Sequence, residues 1–274
     1  MLSWAVAWTS AKIVNEYMTT YNLIAFRFFL GFISILPFIN FKNIQMIFNK
    51  RNIQYVLSTS ILFFIYNIFF FQGTKYGLAG KGAVLVTTLN PLVTVCIMMI
   101  ILGTISKQEI IGISLGLIGG LLILDVHSIG VSNILKIGNI YFLICAATWG
   151  VMTVLMKYAQ ETMDSIVFIF LCYLTTTIIV LPFIDLEQVF IKTLDLRFYF
   201  NFFIVSIGAM SFGTSIYIYS TPKLGPVKAS VFIFSVPFIA LLTANVFINE
   251  SITLGTIVGG FLSIMGIYII NFIK

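Results

Sequence analysis

Polar side chains that interrupt long apolar runs are the residues of this chain best placed to do chemistry. An amide or hydroxyl inside hydrocarbon has to face a partner, a cavity or a solute. Tyr66 and Asn67 fall in the middle of the uncharged run 52–74, and Thr87, Thr88 and Asn90 stand just before Pro91 in the run 82–106. Proline has no N–H, so Pro91 withholds the usual helical donor from the carbonyl of Thr87. The second half offers Thr148, Trp149 and Thr153, then Thr214, Ser215 and Tyr217, then Ser230 and Ser235 before Pro237. These types support recognition of the polar parts of a small solute, with Tyr66, Trp149 and Tyr217 as aromatic walls. A single Ser or Thr in such a run serves more often as hydrogen-bonding glue between helices. Asn67 and Asn90 stand apart, because an amide has more donors and acceptors to satisfy. The candidate cavity set is therefore Tyr66, Asn67, Thr88, Asn90, Trp149, Thr153, Thr214, Ser215, Tyr217 and Ser235.

Ionisable residues narrow the chemistry further. Arg27 is the only cation well inside an apolar run. It is placed to pair with an anionic solute, but from that depth a long side chain can also snorkel to the headgroups, and the snorkelling reading is favoured here. The nine carboxylates, from Glu16 to Glu250, fall in loops or at helix ends, so no buried carboxylate relay for proton coupling is expected. His127 is the only histidine and lies in a polar connection, while Cys96, Cys145 and Cys172 have no metal-ligand spacing and read as packing residues. No phosphate-binding Gly-x-x-x-x-Gly-Lys loop is present, and no cofactor or metal is expected. An enzyme would need a nucleophile, base or metal set within mutual reach, and the sequence offers none.

What must position these groups is a stack of membrane-spanning helices. The chain has 274 residues, is 60% hydrophobic and 9% charged, and has a mean hydropathy of +1.09, where a soluble domain carries charge on about a quarter of its residues. Seven uncharged runs between 52 and 273 approach or exceed the roughly 20 residues a spanning helix needs. Segments 1–13, 21–39 and 110–124 bring the expected number of transmembrane helices to ten. Segment 1–13 reaches only roughly 20 Å at the usual helical rise, short of a hydrocarbon core of about 30 Å, so a truncated first helix is expected. The net charge of +6 reads as cationic loops on the cytoplasmic side of a lipid bilayer rather than as nucleic-acid binding. Loop cations divide eight against five between the two sides, a weak bias that places the N-terminus inside.

The second half repeats the first. Trp4, Lys12 and Leu36-Pro37-Phe38 recur as Trp149, Lys157 and Leu181-Pro182-Phe183, all at an offset of 145. Lys75 and Gly77 recur as Lys223 and Gly225, Pro91 as Pro237, and Gly112 and Gly119 as Gly259 and Gly266, at offsets of 146 to 148. Singly, the prolines end or bend helices and the glycines allow close helix contact. Their recurrence in the same order argues for duplication of a five-helix unit. The units are expected at 1–125 and 138–274, joined by a loop at 126–137. An odd number of crossings makes the second unit start from the opposite side, so the fold expected is all-α, integral to the membrane, with two repeats of inverted topology, an architecture suited to alternating access.

This pattern resembles the EamA-type transporters of the drug/metabolite transporter superfamily. The likeness rests on Trp4 and Trp149, Phe26-Arg27-Phe28, the Lys-x-Gly turns, the prolines at 91 and 237, the hairpin Asn249-Glu250-Ser251-Ile252-Thr253 and the paired glycines. Repeat one departs, with Gly103 where the hairpin acid is expected. The resemblance implies ten helices, cytoplasmic termini, a cavity between the repeats for metabolites such as amino acids, often export, and the bacterial cytoplasmic membrane. A lipid flippase or a non-transporting membrane subunit is the alternative, and the substrate stays open.

Overall fold

The computed structural model describes residues 1–40, 49–123, 137–185, 187, 194–248 and 253–272. Asp125, His127, most of the connection 126–137 and hairpin residues 249–252, Glu250 among them, lie outside the described residues. Among the described residues there are helices and no strands. The first half comprises α1 (Leu2–Val14), α2 (Thr20–Ile35), α3 (Lys50–Tyr76), α4 (Ala79–Leu102) and α5 (Lys107–Ile123). The second comprises α6 (Ile137–Ala159), α7 (Ser165–Val180), α8 (Leu196–Leu224), α9 and α10 (Leu254–Phe272). Helix α9 begins as Pro226–Val231, tightens to a 3-10 turn over Phe232–Ser235 and resumes as Val236–Ile248.

Seven of these helices, α2 to α4 and α6 to α9, are long and apolar enough to cross a membrane. Large apolar side chains such as Ile100, Leu196, Phe212, Val246 and Phe261 stand exposed on the outer surface, a surface that water would not tolerate and lipid would. The protein is an integral, multi-pass membrane protein.

Local chemistry sets the helix ends, and it does so twice. Thr19 caps α2 by accepting from Asn22 N, and Asp164, its mate at offset 145, caps α7 by accepting from Ile166 N and Val167 N. Asn49 and Asp195 do the same for α3 and α8. Both Leu-Pro-Phe triplets form 3-10 turns that close α2 and α7. Gly103 ends α4 in a left-handed conformation at φ 70°, its N–H bonded to Met99 O, which gives the departure at that position a backbone reason.

The packing is two-fold. Helix α3 lies on α6 and α7 as α8 lies on α1 and α2, and α4 lies on α6 as α9 lies on α1. The mates α2 and α7 pack on each other, as do α5 and α10. A Cβ built on Gly119 would sit 2.5 Å from Gly259 O, and one on Gly112 would sit 2.7 Å from Gly266 O. Numbers rise along α5 as they fall along α10, so this pair is antiparallel, with glycines where the backbones nearly touch. Helices α2 and α7 are antiparallel too, with Phe32 against Phe170 and Phe28 against Tyr173. The core between the halves is aromatic: Phe28, Phe63 and Tyr173 are almost fully buried and meet edge to face.

Candidate functional site

The two repeat-related tryptophans meet at the centre. Trp4 and Trp149 stand edge to face with ring centroids 5.0 Å apart, and Tyr66 leans on Trp149 at 4.9 Å. Around them lies a cavity of about 40 Å³, lined by residues of α1, α2, α3, α4, α6, α8 and α9. That volume holds no more than a few water molecules. Four pairs of repeat mates line it together: Trp4 with Trp149, Tyr66 with Thr214, Thr87 with Ile233, and Asn90 with Val236. Within these pairs the first repeat contributes Tyr66, Thr87 and Asn90, and the second answers with Thr214, Ile233 and Val236. The frame is symmetric and its polar groups lie mostly on the first repeat's side.

Arg27 completes this polar side and overturns the snorkelling expectation. Its side chain is buried, at 7% exposure, and lines the cavity. Nε donates to Val205 O at 3.1 Å and an Nη donates to Asn67 Oδ1 at 2.6 Å. The guanidinium carbon lies 5.5 Å from the Phe70 ring centroid and 5.9 Å from that of Phe71, within cation–π range. The side chain turns inward because α2 presents this face to α3 and α8, which supply an amide, a carbonyl and two aromatic faces in place of headgroups.

The carbonyl that Arg27 reaches belongs to an unusual stretch of α8. Residues Ile204–Thr214 form a π-helix, eleven residues long, whereas such widened turns are ordinarily single and cluster at functional sites. Three side chains from other helices reach its carbonyls: Arg27 bonds Val205 O, Trp4 Nε1 bonds Ala209 O at 2.9 Å, and the Tyr173 hydroxyl bonds Met210 O at 3.0 Å.

Of the ten residues expected from sequence, Tyr66, Asn90, Trp149 and Thr214 line the cavity. Asn67 stands behind it and orients Arg27. Thr153 and Tyr217 form a second layer: their hydroxyls bond at 2.9 Å, and the Tyr217 ring backs both Trp4 and Trp149. Ser215 bonds the Tyr173 hydroxyl, Thr88 faces Gly120 of α5, and Ser235 bonds Phe232 O within its own helix. The lining residues missing from that expectation are chiefly Trp4, Trp8, Arg27, Phe70 and Thr87. Trp4 was accessible as the mate of Trp149, and Arg27 as a charge inside an apolar run.

A family model described as the EamA-like transporter family matches residues 1–125 and again residues 136–272. The chain belongs to the EamA-like transporter family. The two matched stretches of this EamA-like chain are the halves whose mates meet in the cavity. A solved structure described only as a crystal structure of a protein is similar, with a TM-score of 0.75 at 16% identity, over 97% of this chain and 93% of that one. At that identity the likeness shows a shared fold and carries nothing about cargo. No curated protein matches the chain.

Proposed function

We propose that the protein carries a small solute across the membrane by alternating access, with ten spanning helices in two inverted five-helix repeats and the site at the Trp4–Trp149 contact. The observation that carries this reading is the cavity itself, which lies where repeat mates converge and draws on both halves. Antiparallel packing of α2 on α7 and of α5 on α10 supports inversion, because a two-fold axis across a helix pair reverses one member. If those helices span the bilayer, the axis lies in its plane, as in known inverted-repeat carriers. A cavity of about 40 Å³ is too small for a metabolite, so binding requires the halves to part on one side and then on the other. A metabolite exporter of a bacterial cytoplasmic membrane fits this reading.

The alternative, a lipid flippase, would use the outer groove between α1, α8 and α9, about 490 Å³, where Leu196, Phe200 and Phe247 stand exposed. We favour the central cavity because a buried cation, Arg27, lines it, whereas the cation at the groove, Arg197, is exposed and pairs with Glu16. Counterflow of labelled amino acids and metabolites into proteoliposomes tests the proposal, with Asn90→Ala beside the wild type. Saturable exchange reduced in Asn90→Ala supports a central site, and absence of flux for every solute from folded protein overturns it.

A further inference from the structure

The central cavity is lined by a buried cation. Arg27 uses two of its N–H groups on Val205 O and Asn67 Oδ1, and its remaining donors have no partner among the described residues. No carboxylate answers its charge: the described Asp and Glu side chains are exposed or half-buried at the periphery, and the ion pair among them joins Arg197 to Glu16. Arginine does not shed its proton in proteins, so a full positive charge stands in the core facing dipoles and ring faces alone. A purely structural arginine at such depth calls for a paired anion, because a lone buried charge is costly. Trp149, 6% exposed, also lines the cavity, with its Nε1–H beside the Tyr217 hydroxyl. Thr153 Oγ1 donates to Trp149 O, so the Tyr217 hydroxyl donates to Thr153 and keeps its oxygen free to accept from Trp149. Its mate Trp4 donates from Nε1 to Ala209 O.

We propose that Arg27 is the anion-binding group of this cavity and that the solute carries a carboxylate. The inference rests on the carrier reading for its transport role, but the binding site stands or falls separately. A planar guanidinium matches a carboxylate in two parallel bonds. One cation balances a monoanion, and the planar fork fits a carboxylate better than the tetrahedral phosphate, which near neutral pH is a mixture of mono- and dianion. The aromatic wall of Trp4, Trp8, Tyr66 and Phe70 fits an apolar body attached to the acid.

The chain supplies its own reporter. It has three tryptophans, Trp4, Trp8 and Trp149, and all three line the cavity. Intrinsic tryptophan emission of the purified protein in lipid nanodiscs would be titrated with matched acid and amide pairs, lactate with lactamide and leucine with leucinamide, and with inorganic phosphate. A saturable change is expected with the acids, little with the amides or phosphate, and a loss of acid affinity of at least ~10-fold in Arg27→Gln. Arg27→Lys keeps the charge and loses the fork, so it should bind more weakly than wild type and better than Arg27→Gln. It also serves as the test variant if Arg27→Gln does not fold. Amides that bind as well as acids, a response to phosphate alone, no response to any acid, or wild-type affinity in the folded variants would each overturn the proposal. Counterflow with the same panel separates the two readings: acids that bind without crossing leave the site and remove the carrier, whereas amides that cross as well as acids leave the carrier and remove the anion site.

Discussion

Asn67 donates from Nδ2 to Phe63 O at 2.8 Å and offers Oδ1 to Arg27, so this position decides whether the guanidinium is paired inside the protein. Asn67→Asp forfeits the bond to Phe63 O, worth about 1 kcal/mol, and sets a carboxylate against a buried cation that lacks one, which should more than offset the loss. Thermal stability is expected at or above wild type, while the response of tryptophan emission to lactate or leucine falls ~10-fold. An unaltered acid response would mean that Arg27 does not meet the acid. At the protein's edge, Asp195 accepts from Phe198 N at 2.8 Å and from the Tyr17 hydroxyl at 3.0 Å. The Phe198 N–H, then Tyr17 and Arg197, hold its carboxyl below the ordinary value. A depressed carboxylate stabilises the fold above its unfolded pKa, about 3.9, and loses that contribution as pH falls through the folded value. The melting temperature of Asp195→Asn should therefore fall less steeply below pH 4 than that of the wild type, and parallel profiles would count against the assignment. These residues were unequally legible in the sequence. Tyr66, Asn90, Trp149 and Thr214 announced themselves as polar or amphipathic groups in mid-run. The direction of Arg27 did not, because α2 is apolar on nearly every face and no periodicity marks its inward side. Its partners lie 40 and 178 residues away in the chain.

Elements divide in the same way between local and distant causes. The paired Leu-Pro-Phe stops could be anticipated because proline acts on its own turn. The seven-spaced glycines were readable as contact points, but the structure adds which helices they join. A side chain at Gly112 would meet Ile270 and the backbone of Gly266, and neither α5 nor α10 contributes to the cavity lining. Gly112→Leu should therefore lower stability by about 1–3 kcal/mol, the usual range for overpacking, and leave the tryptophan emission maximum in place. A shift in that maximum would mean that the α5–α10 pair also shapes the centre. The π-helix in α8 had no such local sign. Three side chains from α1, α2 and α7 bond its carbonyls, so what accompanies the wide turn is tertiary and invisible in the segment Ile204–Thr214 itself.

For the whole molecule, duplication was the most legible feature, since prolines, glycines and tryptophans keep their order at nearly constant offsets. The bias of the cavity's polar groups toward the first repeat is not a property of that alignment alone. It becomes visible when Asn90 and Val236, or Thr87 and Ile233, are seen on one wall. Arg27 has Cys172 as its mate, buried and carrying no charge. On the carrier function proposed above, such a site would hold a solute by its acid end while access alternates around it. Inversion is the premise most open to direct measurement. Lys75 and Lys223 are repeat mates near the ends of α3 and α8, and both are exposed. If the repeats are inverted, these two positions lie on opposite faces of the membrane. In a Cys96→Ser background, where the remaining cysteines are the buried Cys145 and Cys172, Lys75→Cys and Lys223→Cys should react with a membrane-impermeant maleimide from opposite sides of sealed vesicles. Labelling of both from the same side would place the two-fold axis along the membrane normal. The antiparallel pairs α2–α7 and α5–α10 would then have to lie in the membrane plane, and the rocking-bundle account would fail with them.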